Sequence, residues 1–214
     1  MATYSISRRF AWQGPLTHGA VQVCRMFGLT IDRLTDRAPM HQCRLEINRG
    51  DIVYITGPSG SGKSVLLREV ENSVPSDQSV NLARLSLPDG RTVIDCFDGD
   101  VTTSLRALST VGLSEVFSAL NRPCHLSDGQ KYRFRLAQAM ASGKPFIFAD
   151  EFSCELDRVT AAIVAFNIHK FAKRTKTTFI LASSHDDILM DLAPDVLVIK
   201  DFLGPAEVIY KTSR

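Results

Sequence analysis

Eight consecutive residues, Gly57-Pro58-Ser59-Gly60-Ser61-Gly62-Lys63-Ser64, fit the pattern G-x-x-x-x-G-K-[ST] at every position. Each residue type has a use there. Glycines let successive backbone N–H groups turn inward around an anion, and a helix beginning behind them adds its positive N-terminus. The lysine of such a loop reaches the β- and γ-phosphates of a nucleoside triphosphate, and the hydroxyl after it ligates Mg²⁺. A flexible glycine-rich turn is the bland alternative, but a chance match in a chain of this length has a probability of roughly one in a hundred. Downstream, Phe146-Ile-Phe-Ala-Asp150-Glu151 places two carboxylates at the end of an apolar run. Parallel α/β sheets bind ligands at their strand carboxyl ends, which would bring this pair beside the loop. Asp150 then holds Mg²⁺ through water, and Glu151 orients or deprotonates the attacking water. Taken alone, the acidic pair reads equally as a helix N-terminus.

Leu126-Ser127-Asp128-Gly129-Gln130, followed by Lys-Tyr-Arg133, reads by itself as a turn or cap before a helix. Together with the phosphate loop it resembles the ATP-binding cassette (ABC) ATPases, whose signature is Leu-Ser-Gly-Gly-Gln. Asp128 departs at the third position, leaving Ser127, Gly129 and Gln130 in register. Glu151-Phe-Ser-Cys-Glu-Leu-Asp157 is similar to the family's segment from catalytic glutamate to D-loop, and Ser184-His185-Asp186 to its switch-histidine region. Phe27 falls where the family keeps an aromatic that stacks on adenine; a core residue is the alternative reading. The resemblance covers about residues 21 to 210. It implies ATP as substrate, Mg²⁺ held by Ser64 and Asp150, and catalytic roles for Lys63, Glu151 and His185. It also implies a nucleotide site completed across a head-to-tail homodimer, with Ser127, Gly129 and the N-terminus of the following helix supplied to the partner's γ-phosphate, and with Gln130 and Asp157 among the nucleotide-binding residues.

One family element is missing. Members usually carry a glutamine between loop and signature that contacts Mg²⁺. The only glutamine there is Gln78, 15 residues after Lys63 and too early for the usual position. The interval from Lys63 to Ser127, 64 residues, is short for a transporter ATPase and implies a reduced helical lobe.

The elements that must position these groups are legible in outline. Residues 51–56 read as a buried strand entering the glycine loop, and 63–73 as the helix behind it. Residues 20–31 and 43–47 read as short strands of an antiparallel N-terminal layer. Two short helical patterns occupy 101–120, a helix spans about 130–141, and strands fall at 146–149, 177–182 and 196–199. Leu156, Val159, Ile163 and Phe166 recur at helical spacing, predicting the buried face of a helix that runs to about Lys173. Buried strands alternating with helices predict an α/β fold: a P-loop NTPase with a mostly parallel central sheet. The whole chain, 1–214, is read as a single nucleotide-binding domain, with about 75–141 a small inserted helical lobe.

Composition narrows the function classes. The chain has 214 residues, 44% of them hydrophobic, and a net charge of +2, which excludes intrinsic disorder and a strongly basic nucleic-acid module. Five cysteines without a C-x-x-C pair argue against a zinc site or a disulfide framework. No signal-peptide pattern opens the chain and no run approaches a membrane span, so a cytoplasmic location is expected, peripheral to the membrane if another chain anchors it. The basic run His169–Lys176 reads as a solvated helix end, with nucleic-acid contact a minor alternative that nothing else supports. Arg8, Arg9 and Trp12 are candidates for a docking arm. The short lobe and absent glutamine favour a soluble ABC-type ATPase that drives a partner by dimer opening and closing. The alternative is the nucleotide-binding subunit of a transporter with separate membrane subunits.

Overall fold

The computed structural model describes residues 2–9, 14–30, 40–202 and 204–211. Its centre is β3 (Ile52–Thr56), five buried residues that run straight into the glycine loop. Parallel neighbours flank it on both sides: β6 (Thr178–Ala182) and β7 (Val196–Ile199). The full sheet runs β4 (Ser79–Asn81), β5 (Phe146–Ala149), β6, β3, β7, β8 (Glu207–Tyr210), with only the edge strand β8 antiparallel.

Alternate residues of these strands enter two separate cores, as the two-residue period requires. Ile52, Tyr54, Ile147, Phe179 and Leu181 pack on one face of the sheet. Val53, Ile55, Phe148, Ile180 and Val198 pack on the other. Burial on both faces explains why the strands read as continuous apolar runs. The first core is closed by α5 (Asp128–Ala141) and α6 (Arg158–Thr175), the second by α2 (Lys63–Asn72) and the N-terminal sheet. In that sheet β1 (Ala2–Arg9) pairs antiparallel with β2 (Met40–Ile47) along its whole length. The helices α3 (Val101–Thr110), α4 (Val116–Leu120) and α5 form a lobe inserted between β4 and β5; α7 (Leu189–Leu192) is a single turn. This is the α/β architecture expected, with its antiparallel layer and its small lobe.

Several local expectations are overturned. Residues 20–31 are not a strand: α1 (His18–Met26) occupies most of them, capped by Thr17, whose hydroxyl accepts from the Ala20 N–H. The helix buries no residue, so its alternating apolar side chains gave a strand-like pattern without a core to report on. Ile31 lies outside the described residues. Arg8 belongs to no free arm either. It sits in β1, and its guanidinium pairs with Glu69 of α2 at 2.9 Å. Arg9 is the last residue of that strand, and Trp12 lies outside the described residues.

On α6 the packed face is Ala161, Val164, Ala165, Ile168 and Ala172, while Val159 is 69% exposed and Ile163 and Phe166 are also outward. Alanines let the helix approach the sheet closely, and that close contact outweighs the larger side chains of the neighbouring stripe. Within the span 75–141, β4 belongs to the central sheet, and the lobe's α-helices begin only at Val101. In the basic run, Lys173 pairs with Asp195 at 2.6 Å, and Lys170 lies 4.3 Å over the Phe166 ring.

Candidate functional site

The parallel strands β3, β5 and β6 end on one edge of the sheet, where open α/β sheets hold ligands. From β3 the chain enters the loop at Gly57, φ +143°. A Cβ there would stand 1.9 Å from the Lys200 carbonyl oxygen, so only glycine lets the loop leave the sheet along this path. Gly62, φ +100°, is the N-cap of α2, and a Cβ on it would meet the His41 ring at 2.1 Å. Pro58 and Ser61 close the turn between them, the Ser61 N–H donating to the Pro58 carbonyl at 3.2 Å. Lys63 is folded back across this turn. Its Nζ donates to the carbonyls of Gly57 and Pro58 at 2.8 and 2.9 Å.

Opposite the loop, the chain turns sharply after β5. Glu151 has φ +51° and Ser153 φ +65°, conformations costing a side-chain-bearing residue about 1 kcal/mol or more each. Three anchors hold the turn. Phe152 is fully buried, its N–H donates to the Ala182 carbonyl at 2.8 Å, and the Ser153 N–H donates to the Tyr132 hydroxyl at 3.3 Å. The segment after β6 is tied down from β3 itself. Tyr54 donates its hydroxyl to the His185 carbonyl, Thr56 donates to the Asp186 carboxylate, and the His185 N–H donates to Ser183 Oγ at 3.2 Å.

These three segments enclose a cleft of about 400 Å³. Ser59, Gly60, Gly62, Lys63 and Ser64 form one wall; Asp150, Glu151 and His185 form the other. Ser64 and Asp150 both bring oxygen atoms to this cleft, a set suited to a hard cation that completes its shell with phosphate oxygens and water. Ser183, Ser184 and Cys154 also line the cleft; Ser184 and Cys154 fall within the family-like segments, but none of the three was given a role from sequence. The serines immediately precede His185, which was signal enough to include them. Burial, then the charges of Glu151 and Asp150, push the Cys154 thiol up against the opposing hydrogen bond of Ser183.

Other singled-out residues stand apart from this cleft. Ser127 caps α5 in a reciprocal box with Gln130: Ser127 Oγ accepts from the Gln130 N–H at 3.3 Å, and Gln130 Oε1 accepts from the Ser127 N–H at 2.9 Å. Gly129 presses its backbone against the 151–157 segment, for a Cβ would lie 2.8 Å from the Glu155 carbonyl oxygen. Asp157 caps α6, and its bonds from the Thr160 hydroxyl and N–H hold its carboxyl below the usual range. None of these four lines the cleft formed by their own chain. Phe27 follows α1, is 74% exposed, and is not among the cleft residues.

Behind the loop lie two buried bases, His41 at 5% exposure and Lys200 at 1%. Burial and then the Lys200 charge lower the His41 pKa. In the unfolded chain a histidine titrates near 6.5. Below about that pH the unfolded state takes up a proton that the folded state refuses, so this contribution to stability is complete above about pH 6.5 and is lost as the pH falls toward the folded value. The melting temperature is therefore expected to drop more steeply between about pH 7 and 5.5 in the wild type than in His41→Gln. Parallel pH profiles for the two proteins would exclude His41 as the group responsible.

No family model matches the chain. It is 30% identical over 187 residues to the aliphatic sulfonates import ATP-binding protein SsuB 1 of Paracoccus denitrificans, covering 78% of this chain and 75% of that protein. Over 239 residues it is 27% identical to the phosphonates import ATP-binding protein PhnC of Cupriavidus pinatubonensis, covering 86% and 81%. The match to the methionine import ATP-binding protein MetN of Streptococcus agalactiae is also 27% and spans 55% of that longer protein. Among solved structures, the dimeric MJ0796, a bacterial ABC transporter cassette, superposes with a TM-score of 0.68 at 17% identity over 99% of both chains. Its post-hydrolysis dimer bound to ADP and Pi gives 0.63 at 21% identity, covering 82% of this chain and 93% of that one. At these identities the structures speak for the fold.

Proposed function

The chain belongs to the ABC ATPases of the P-loop NTPase superfamily, and on that footing we propose that it is the nucleotide-binding subunit of an importer whose membrane subunits are separate chains. The observation that carries the ATP chemistry is the single cleft in which Lys63 and the N-terminus of α2 face Asp150, Glu151 and His185. The triphosphate lies in the cradle of loop N–H groups, its β- and γ-phosphates against the Lys63 ammonium. When bound, Mg²⁺ adds charge neutralisation at the phosphates, held by the Ser64 hydroxyl and by Asp150 through water. Glu151 accepts the proton of the attacking water as the new O–Pγ bond forms and the bond to ADP breaks, leaving ADP and inorganic phosphate. His185 contacts the γ-phosphate from the far wall.

The other half of the site comes from a second copy. Ser127, Gly129, Gln130 and the N-terminus of α5 lie outside their own cleft, so they meet the γ-phosphate of the facing protomer's ATP. Asp157, the N-cap of α6, completes this set. Hydrolysis removes the bridging charge and the dimer opens, turning ATP turnover into a change in distance between protomers.

Relatives that are import ATP-binding proteins favour the transporter role over a soluble ATPase acting on a cytosolic partner. No described helix is long and apolar enough to cross a bilayer, so in this reading the membrane contact is peripheral. Affinity purification of the tagged chain from detergent-solubilised native membranes should bring down a multi-span membrane protein in stoichiometric amount. Recovery of a homodimer alone, from membranes and cytosol alike, would return the soluble reading.

A further inference from the structure

A second cavity, of about 270 Å³, lies on the far side of Asp150 and Glu151, so these two carboxylates are walls of both spaces. The rest of its lining includes Glu155, Ala83 after β4, and Tyr132 and Arg135 from α5. Three carboxylates and one cation thus line it.

The surroundings of Arg135 are fixed. Tyr132, one turn earlier on α5, holds the acidic turn through its bond from the Ser153 N–H. Ala83 is pinned in the opposite wall. Its N–H donates to Asn81 Oδ1 at 3.0 Å, Asn81 donates to Glu71 at 2.9 Å, and Arg84 pairs with Glu71 at 3.3 Å. A methyl group held there supplies no polar atom to the carboxylates and leaves the cavity open. Arg133, two residues before Arg135, spends its donors on the carbonyls of Gly112 and Gly129 at 2.6 and 3.3 Å. Arg135 has no such engagement. Its Nε is buried without a hydrogen-bond partner, and among the described residues it makes no ion pair. A buried donor left unpaired is costly, and a guanidinium facing carboxylates has a ready acceptor within its cavity.

We propose that Arg135 is a positioning residue for Glu151: in the Mg-ATP-bound state its guanidinium bonds the Glu151 carboxylate from the cavity side and orients the oxygen that takes the water proton. The assignment rests on the ATPase reading above. The planar fork can hold one carboxylate oxygen while the other faces the nucleotide, and its charge offsets the crowding of Asp150 and Glu155 against Glu151. The effect is on turnover and not on nucleotide binding, because Arg135 lines the rear cavity alone.

Arg135→Ala is expected to lower kcat roughly ten- to hundredfold, the scale of a misplaced catalytic group, with KM for Mg-ATP changed by less than about twofold. Arg135→Lys should recover part of the loss. Guanidinium ion at tens of millimolar should restore turnover to Arg135→Ala, through the open cavity, and do nothing for the wild type; sodium at equal concentration should restore nothing. An unchanged kcat in Arg135→Ala overturns the assignment, and so does a loss that comes with a raised KM and no rescue by lysine or guanidinium. A wild-type protein without Mg-ATP hydrolysis would instead overturn the reading on which the assignment rests.

Discussion

Replacing Glu151 with glutamine is expected to stop ATP turnover while trapping the protein as an ATP-bound dimer. The substitution keeps the shape of the side chain and its place on the strained turn after β5, where φ is +51°. It removes only the capacity to accept a proton. Loss of a positioned general base costs about 10²- to 10⁴-fold in rate, so kcat should fall by that factor with ATP affinity intact. In the proposed mechanism the phosphate loop still binds the triphosphate, the γ-phosphate still bridges to the partner's α5 N-terminus, and nothing now removes it. Size-exclusion chromatography with Mg-ATP should show a stable dimer for Glu151→Gln and exchange with monomer for the wild type. Adding Ser127→Arg to Glu151→Gln should abolish the dimer and leave nucleotide binding to the monomer unchanged, because Ser127 lies outside its own cleft. A Glu151→Gln protein that stays monomeric with saturating Mg-ATP would remove the composite site from the mechanism.

What could be read from the residues alone was what neighbours in sequence encode. The phosphate loop is eight contiguous residues whose glycines must adopt positive φ, so its chemistry and its turn are written in one place. β3, β5 and β6 were equally plain, since strands buried on both faces need unbroken apolar runs. The failures share a cause: contact between distant segments. β1 is polar enough to pass for a free arm, and it becomes a strand only because β2, more than thirty residues later, offers it a full register of partners. α1 has alternating apolar residues but buries none, so periodicity carried no information about its surroundings. On α6 two stripes competed, and size favoured Val159, Ile163 and Phe166 while closeness of approach selected the alanines. The same limit hid His41 behind Gly62 and Arg135 behind Glu151. Neither belongs to the motif it lies beside, and no spacing rule connects them.

Lys63 carries the other large expected effect. Its side chain is almost wholly buried, and its ammonium already bridges the Gly57 and Pro58 carbonyls, so it braces the loop; in the proposed mechanism it also supplies the cation that meets the phosphates. Lys63→Ala removes both functions. Two inward carbonyls lose their donor, and the β- and γ-phosphates lose a charge-assisted bond worth about 1.5–3 kcal/mol. ATP affinity should fall at least about tenfold and, with the loop loosened, about a hundredfold or more; hydrolysis should be undetectable. Lys63→Arg is the discriminating variant. A guanidinium preserves the charge but is a wide planar fork, and the space between the loop carbonyls is closed by a backbone that cannot widen, since Gly57 lies against the Lys200 carbonyl. If charge alone mattered, arginine would restore most of the binding. The tight fit of the loop predicts that it restores little, with titration of a fluorescent ATP analogue reading the difference. Near-wild-type affinity and turnover in Lys63→Arg would mean that the loop opens on binding nucleotide, and the bracing role of Lys63 would then be lost.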